Sequence, residues 1–132
     1  MTINTAPIPH TAEFESLCAD AKSRIQEISA DDLAQILESA TPPLLIDVRE
    51  AEEFSSYHIA RAYHLSKGWV EAKIHTLVPQ KDSAVVLYCG SGNRSALAAD
   101  NLQKMGYRNV FSLAGGIKGW VKSGREVITL GS

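Results

Sequence analysis

Apolar residues recur along the chain at two different spacings. Where they recur every three or four residues, the pattern predicts amphipathic helices. The apolar faces of these helices are Phe14, Leu17, Cys18 and Ala21, then Leu33, Ile36, Leu37 and Ala40, then Val70, Ile74 and Leu77, and finally Ala98, Leu102 and Met105. We also predict a short acidic helix over 51–56 and a closing helix from 116 to about Lys122.

Continuous apolar runs between these helices predict strands. The strongest run is 83–88 (SAVVLY), followed by 44–48 (LLIDV), and weaker candidates cover 24–28, 62–65, 110–113 and 127–130. A continuous apolar run is typical of a strand that is buried on both faces of a parallel sheet. The alternation of strands and helices therefore predicts an α/β fold: one domain with a mainly parallel central sheet flanked by helices, plus an N-terminal helix.

The length of 132 residues favours a single domain. We expect residues 1–23 to form a lead and an amphipathic helix that packs on the core, and residues 24–132 to form the domain itself. A net charge of −2 argues against a nucleic-acid partner, and no apolar run approaches the roughly 20 residues of a membrane span. The N-terminal residues do not resemble a secretory signal, and two cysteines cannot form a disulfide framework. We therefore expect a cytoplasmic protein, a monomer or weak dimer, without a membrane partner.

The segment with the clearest chemistry lies between the strongest strand and a helix, with the sequence Cys89-Gly90-Ser91-Gly92-Asn93-Arg94-Ser95. Ligands of open α/β sheets bind at the carboxyl ends of the strands, and Cys89 directly follows such an end. Glycines let backbone N–H groups turn inward, and a helix beginning near Ser95 adds the positive end of its dipole. These groups favour the thiolate form of a cysteine, and Arg94 adds a charge suited to oxyanions. The pattern predicts a nucleophilic cysteine, against the plainer interpretation of a buried thiol beside a turn.

The other candidate residues point to structural roles. Cys18 lies on a helical apolar stripe, which favours a buried structural thiol over a resolving cysteine. The four histidines lack metal-ligand spacing, so we predict no metal site. His58 could touch the pocket of Cys89, although a structural histidine is the stronger expectation. Trp120 is expected in the core rather than at a substrate.

The segment from Tyr88 to Ser95 resembles the C-x-x-G-x-R-S active-site loop of rhodanese domains, which are sulfurtransferases. Leu45-Ile46-Asp47-Val48-Arg49-Glu50 with Glu53-Phe54 is similar to the family's L-I-D-V-R-E…E-F segment, and 106–120 resembles its closing G-(F/Y)-x-x-V…L-x-G-G-(I/M)-x-x-W. The resemblance covers roughly residues 25–128. The chain departs from the family at 57–62 (YHIARA), where the family commonly reads G-H-I-P-G-A near the pocket.

The resemblance implies a sulfurtransferase that needs no cofactor and moves a sulfane sulfur through a persulfide on Cys89. Its partners would be a small-molecule sulfur donor, a thiol or cyanide acceptor, or a persulfide-carrying protein. Arg94 would hold the loop or the donor, and the substrate would lie against the loop residues Gly90, Ser91, Gly92, Asn93 and Ser95. Asp47 would support the site by fixing Arg94 or the loop amides, or would instead pair with Arg49, and His58 is a further supporting candidate.

Two alternatives remain from the sequence. A cysteine phosphatase would resemble H-C-x-x-x-x-x-R, whereas only four residues separate Cys89 from Arg94 and Tyr88 precedes the cysteine. A non-catalytic rhodanese-like binding or regulatory module would not require the intact loop. Because the loop offers a single cation, we expect weak activity with thiosulfate and better uptake from a persulfide; Arg61, Lys67 and Lys73 are the candidate rim cations.

Overall fold

The computed structural model describes residues 9–129, which form six helices and seven strands. The helices are α1 (Ala12–Lys22), α2 (Ala30–Leu37), α3 (Ala51–Ser56), α4 (Lys67–Leu77), α5 (Asn93–Lys104) and α6 (Gly116–Lys122). The strands are β1 (Gln26–Ile28), β2 (Leu44–Asp47), β3 (Tyr57–His58), β4 (Tyr63–His64), β5 (Val85–Tyr88), β6 (Val110–Leu113) and β7 (Ile128–Thr129). Within this range, no helix combines the length and the apolarity needed to cross a membrane.

Five of the strands form one parallel sheet in the order β1-β6-β5-β2-β4. The two strongest apolar runs of the sequence, β5 and β2, are neighbours at its centre. The remaining strands, β3 and β7, pair antiparallel in a small second sheet. The predicted α/β fold with a mainly parallel central sheet is thus confirmed. Because the five strands are parallel, their carboxyl ends meet at one edge, where open α/β sheets place their ligands.

The core is divided between the two faces of the central sheet, because alternate residues of a strand point to opposite sides. Along β5, Val85 and Leu87 face α4 and α5, whereas Val86 and Tyr88 face α2 and α6. Helix α1 packs on α5 rather than on the sheet. Only part of its apolar stripe is therefore covered: Cys18 and Ala21 are buried, but Leu17 is 54% exposed.

Other boundaries differ from the sequence prediction for local reasons. Helix α2 ends at Leu37, so Ala40 lies beyond it, and Ile36 and Met105 remain partly exposed. Helix α5 begins at Asn93, before the predicted start at Ser95, because Gly92 adopts a left-handed conformation that caps it (φ +103°). Strand β3 was not predicted, since two residues are too few to show a period. In the predicted strand 127–130, residues 128–129 form β7, and residue 130 lies outside the described residues. Residues 1–8 of the predicted lead also lie outside the described residues.

The segment that departs from the family pattern keeps a tight turn after β3. The Ala62 amide donates to the Ile59 carbonyl (3.1 Å), and Arg61 adopts φ +72°. Arg61 is the only non-glycine residue within 9–129 that has a positive φ, and the family commonly has glycine in its place. The Arg61 guanidinium donates to the Leu37 carbonyl (3.0 Å) at the end of α2. This contact offsets part of the cost of a left-handed backbone conformation at a residue with a side chain, which is of the order of 1–2 kcal/mol.

Candidate active site

Cys89 lies directly after β5, at the carboxyl edge of the central sheet, and only 1% of it is exposed. Its Sγ accepts hydrogen bonds from the amides of Gly92 (3.2 Å) and Ser95 (3.4 Å) and lies 3.4 Å from the Ser95 hydroxyl. Gly92 and Ser95 stand at the start of α5, whose dipole places partial positive charge there. This donor arrangement stabilises negative charge on sulfur.

The Ser95 hydroxyl is held by a second hydroxyl behind it. Ser95 Oγ and Ser112 Oγ are 2.8 Å apart, and both serines are fully buried. Ser112 belongs to β6, which pairs with β5. The orientation of the hydroxyl beside Cys89 is therefore set by the central sheet itself.

The first turn of α6 holds the carbonyl side of the loop. The amides of Ile117 and Lys118 donate to the carbonyls of Cys89 (2.9 Å) and Gly90 (3.0 Å). This close approach requires glycine at the start of α6, since a Cβ on Gly116 would lie 2.6 Å from the Cys89 carbonyl oxygen. With its carbonyls held by α6, the loop turns its amides toward the sulfur.

Arg94 pairs with Glu53 of α3 rather than standing free in the loop. Its guanidinium donates twice to the carboxylate, with distances of 2.7 and 3.1 Å. The hydrogen bond from Arg94 lowers the pKa of Glu53, and the same bond raises the pKa of Arg94. The pair holds α3 against the loop, and its two charges largely cancel.

A pocket of about 300 Å³ opens next to Cys89. The loop residues Gly90, Ser91, Asn93 and Arg94 line it together with Glu53, and three residues from elsewhere complete it: His10, Phe14 and Lys118. Lys118 makes no ion pair with another described residue, and its side chain approaches the position that a Cβ on Gly90 would occupy (3.9 Å to Cε). The pocket thus has a cationic side at Lys118 and an aromatic side at His10 and Phe14.

The expected support of Arg94 by Asp47 is wrong. Asp47 is fully buried and binds Arg49 through both the backbone amide (2.9 Å) and the guanidinium (2.8 Å), which is the other alternative left by the sequence. His58 does not line the pocket either. Its Nδ1 lies 3.0 Å from the Phe54 carbonyl and its ring stacks on Phe54 at 3.9 Å, so it is a structural histidine.

Cys18 is buried between α1 and the core, as predicted. Burial raises the pKa of its thiol, which disfavours the reactive thiolate form. Trp120 is likewise nearly buried, and its indole N–H donates to the Glu126 carbonyl (2.9 Å).

Sequence reasoning missed four residues around the pocket: His10, Phe14, Glu53 and Lys118. All four are remote in sequence from Cys89 and reach it only through the packing of α3, of α6 and of the start of α1. A signal for Lys118 was present, because two successive glycines at 115–116 allow a backbone to approach the loop closely. The rim cations named from the sequence, Arg61, Lys67 and Lys73, are not among the lining residues.

Comparison with known proteins identifies the family. The sequence model of the Rhodanese-like domain matches residues 29–123, which is more than half of the chain. The chain therefore belongs to the rhodanese-like domain family, and relatives named as sulfurtransferases support sulfur transfer in general.

Two relatives and one solved structure illustrate the match. A sulfurtransferase from Allochromatium vinosum is 33% identical over 104 residues, covering 79% of this chain and 95% of the relative. The Bacillus subtilis protein YrkF is also 33% identical, over 98 residues and 74% of this chain, but the matched part is only 52% of YrkF. A structure from Rhodopseudomonas palustris, described as a protein of unknown function and possible tyrosine phosphatase, is 26% identical with a TM-score of 0.80 and covers 93% of this chain and 99% of that one.

Proposed function

We propose that this protein is a sulfurtransferase that carries a sulfane sulfur on Cys89 as a persulfide. The observation that supports it most directly is the pair of amides, from Gly92 and Ser95, that donate to the Cys89 Sγ. Donors aimed at a buried sulfur stabilise the attacking thiolate and the persulfide that replaces it.

The proposed reaction has two steps. The Cys89 thiolate attacks the outer sulfur of the donor, a new S–S bond forms, and the bond between that sulfur and the rest of the donor breaks. The electron pair of the broken bond leaves on the donor remnant, which is a thiolate for a persulfide and sulfite for thiosulfate. An acceptor thiolate or cyanide then attacks the outer sulfur of the persulfide and restores the Cys89 thiolate.

The loop residues divide these tasks. Gly92 and Ser95 supply the amides at the sulfur, while Gly90, Ser91 and Asn93 line the space where the donor and the outer sulfur would lie. Arg94 acts by holding the loop, because its charge is paired with Glu53. Lys118 takes over the expected role of Arg94 toward the anionic end of a donor.

The choice of donor follows from these charges. Arg94 and Glu53 cancel, so Lys118 leaves about one net positive charge beside the sulfur. A thiosulfate dianion is only half neutralised by it. We therefore propose low kcat/KM for thiosulfate and a higher value for a persulfide that is carried by a small thiol or a partner protein.

Mass spectrometry of the intact protein and its peptides tests the proposal. The protein is exposed in turn to thiosulfate, mercaptopyruvate, glutathione persulfide, and a cysteine desulfurase with cysteine. We expect Cys89 to gain one sulfur atom, Cys89→Ser to lose sulfur transfer, and the matched variant Cys18→Ser to retain it. Labelling of Cys18, or equal loss in both folded variants, would contradict the assignment of Cys89.

The same samples separate the two alternatives. Release of phosphate from an aryl phosphate by the wild type, but not by Cys89→Ser, would favour a cysteine phosphatase. That is the class of enzyme named as possible for the similar Rhodopseudomonas palustris protein. Failure to take up sulfur from every donor, with no phosphate release, would favour a binding module.

A further inference from the structure

We propose that the start of helix α1 and His10 just before it, which lie outside the part of the chain matched by the family's sequence model, form the specificity-determining wall of the Cys89 pocket. Phe14 and His10 would contact the organic group of the sulfur donor, while Lys118 would contact its anionic group. The inference rests on the proposed sulfur transfer and adds the class of donor: an organic sulfur compound with one negative charge near the transferable sulfur.

The family match begins at residue 29, whereas α1 ends at Lys22. Even so, the residues at the start of α1 reach the pocket of Cys89. At the other end of the helix, Lys22 Nζ donates to Asn93 Oδ1 (3.0 Å), the side chain of a loop residue. Helix α1 therefore contacts the active-site region at both of its ends.

The position of α1 relative to the loop is fixed by several contacts. Cys18 and Ala21 are buried on its inner side. Just after the helix, the Arg24 guanidinium donates twice to the carboxylate of Asp100 on α5, at 2.8 and 3.1 Å. Since α5 also starts at the Cys89 loop, the wall and the nucleophile are attached to the same helix.

The chemistry of the wall indicates what it would select. The His10 and Phe14 rings meet edge to face with centroids 4.8 Å apart, and Phe14 is half-buried. Their ring surfaces offer contact to an apolar or aromatic group but no fixed charge for a sulfonate or phosphate. Lys118 supplies that charge, because Arg94 is already paired with Glu53. A donor such as thiosulfate has no organic part and would use only the cationic side.

Thiosulfonates test this division because their charge stays constant while the organic group changes. In RSO₂S⁻, the Cys89 thiolate attacks the terminal sulfur and forms Cys89–S–S⁻. The bond between the two donor sulfurs breaks, and its electron pair leaves on the sulfinate RSO₂⁻. Methanethiosulfonate and benzenethiosulfonate are both monoanions and differ in the group that would face Phe14.

The measured quantity is the ratio of kcat/KM for benzenethiosulfonate to that for methanethiosulfonate, with cyanide as acceptor. We expect the wild type to prefer the aromatic donor and Phe14→Ala to lower the ratio by about two- to tenfold, the range of an aromatic contact. His10→Ala should lower it in the same direction, and because His10 is exposed and precedes α1, folding is not at stake. The matched control is Leu17→Ala on the same helix, which is exposed and does not line the pocket and should leave the ratio unchanged.

Lys118 is tested separately by charge. Lys118→Met should lower kcat/KM for both thiosulfonates alike and keep their ratio, whereas Lys122→Met on the same helix should change neither. An unchanged ratio in both Phe14→Ala and His10→Ala, with sulfur transfer intact, would overturn the role of α1. Absence of a Cys89 persulfide with every donor would instead overturn the proposed function itself.

Discussion

At the scale of single residues, the charge beside Cys89 depends on one ion pair. Arg94 occupies the arginine position of the C-x-x-G-x-R-S loop, but its guanidinium is bound by Glu53. The side chains of both residues are about one-third exposed, so solvent weakens the attraction without removing it. Removing the carboxylate would free Arg94 toward the pocket and add positive charge where Lys118 already stands.

We predict that Glu53→Gln raises kcat/KM for thiosulfate relative to kcat/KM for a persulfide whose organic group is uncharged. The reason is that the freed Arg94 then faces the thiosulfate dianion. The effect should shrink as salt is added, since the charges are partly exposed. The control is Glu52→Gln on the exposed side of the same helix, which should leave the preference unchanged. A thiosulfate preference that does not rise in folded Glu53→Gln would contradict the pairing.

The same variant should alter the acid sensitivity of the fold. The pKa of Glu53 is lowered in the folded state, mainly by the hydrogen bond from Arg94. The pair therefore stabilises the protein above the unfolded-state pKa of about 4.3, and the contribution is lost as the pH falls through the lower folded-state value. For a partly exposed pair we expect about 1 kcal/mol or less. Free energies of unfolding measured from pH 3 to 6 should show wild type and Glu53→Gln differing at pH 6 and converging toward pH 3.

How far the sequence predicts individual site residues depends on their distance along the chain. Cys89, Gly92 and Ser95 belong to one local strand–loop–helix pattern, and their contacts follow from it. Phe14 could not be placed, because its contact with the pocket arises from helix packing, and for Lys118 the only signal was the pair of glycines at 115–116. Asp47 shows a third case: the sequence offered two partners, and burial selected the nearby Arg49, which neutralises the carboxylate inside the sheet.

At the scale of elements, the start of α6 and the Cys89 loop form one unit. Two amides of α6 hold two loop carbonyls, and the backbones approach so closely that Gly116 has no space for a side chain. Gly116 also has φ +59°. A substitution at Gly116 combines two costs, backbone strain and steric overlap. Gly124 has a positive φ without a close neighbour, so a substitution there shows the cost of the strain alone.

We predict that Gly116→Ala destabilises the protein by about 1–3 kcal/mol more than Gly124→Ala, because overpacking adds to the strain. Gly124 is the matched control, since it too has a positive φ (+86°) but nothing within 4 Å of its added Cβ. Denaturant unfolding gives the two free energies. Gly116→Ala should also slow alkylation of Cys89 by displacing the loop amides. Equal destabilisation by the two variants would show that the close approach of Gly116 to the Cys89 loop does not contribute to the cost of the substitution.

The elements themselves were predicted with uneven success for physical reasons. The strands β2 and β5 lie at the centre of the sheet and are therefore continuously apolar, which made them clear in the sequence. Strand β3 has only two residues and therefore shows no pattern, although His58 is buried and Tyr57 is half-buried. Helix α1 appeared to have a broad apolar stripe, but a helix that packs on another helix covers a narrow strip, which left Leu17 exposed.

At the scale of the whole molecule, a buried ion pair connects the two sheets. Asp47 ends β2 of the central sheet, and Arg49 Nη2 donates both to Asp47 (2.8 Å) and to the carbonyl of Tyr57 in β3 (2.6 Å). The two side chains are almost completely buried. Removing one charge would leave the other unpaired in the interior.

We predict that Asp47→Ala lowers the free energy of unfolding by about 3–5 kcal/mol, the usual cost of leaving a buried charge without its partner. Asp31→Ala is the control. It removes a carboxylate that also binds an arginine, Arg125, but is 81% exposed, and it should cost about 1 kcal/mol or less. Thermal and denaturant unfolding measure both. A cost for Asp47→Ala no larger than that of the control would show that the two sheets are not joined by this pair.

The burial of Cys89 has a consequence for how the protein meets other thiols. With 1% of the residue exposed, the sulfur is reached only through its pocket, so a cysteine that lies flat on another folded surface cannot approach it while the loop keeps its shape, whereas a persulfide on an extended segment can enter. Two copies of the protein that meet through their folded surfaces are therefore not expected to cross-link through Cys89. A persulfide on Cys89 would extend one sulfur atom further into the pocket, and an acceptor thiol would reach that terminal atom. The transferred sulfur is therefore more accessible than the Cys89 sulfur that holds it.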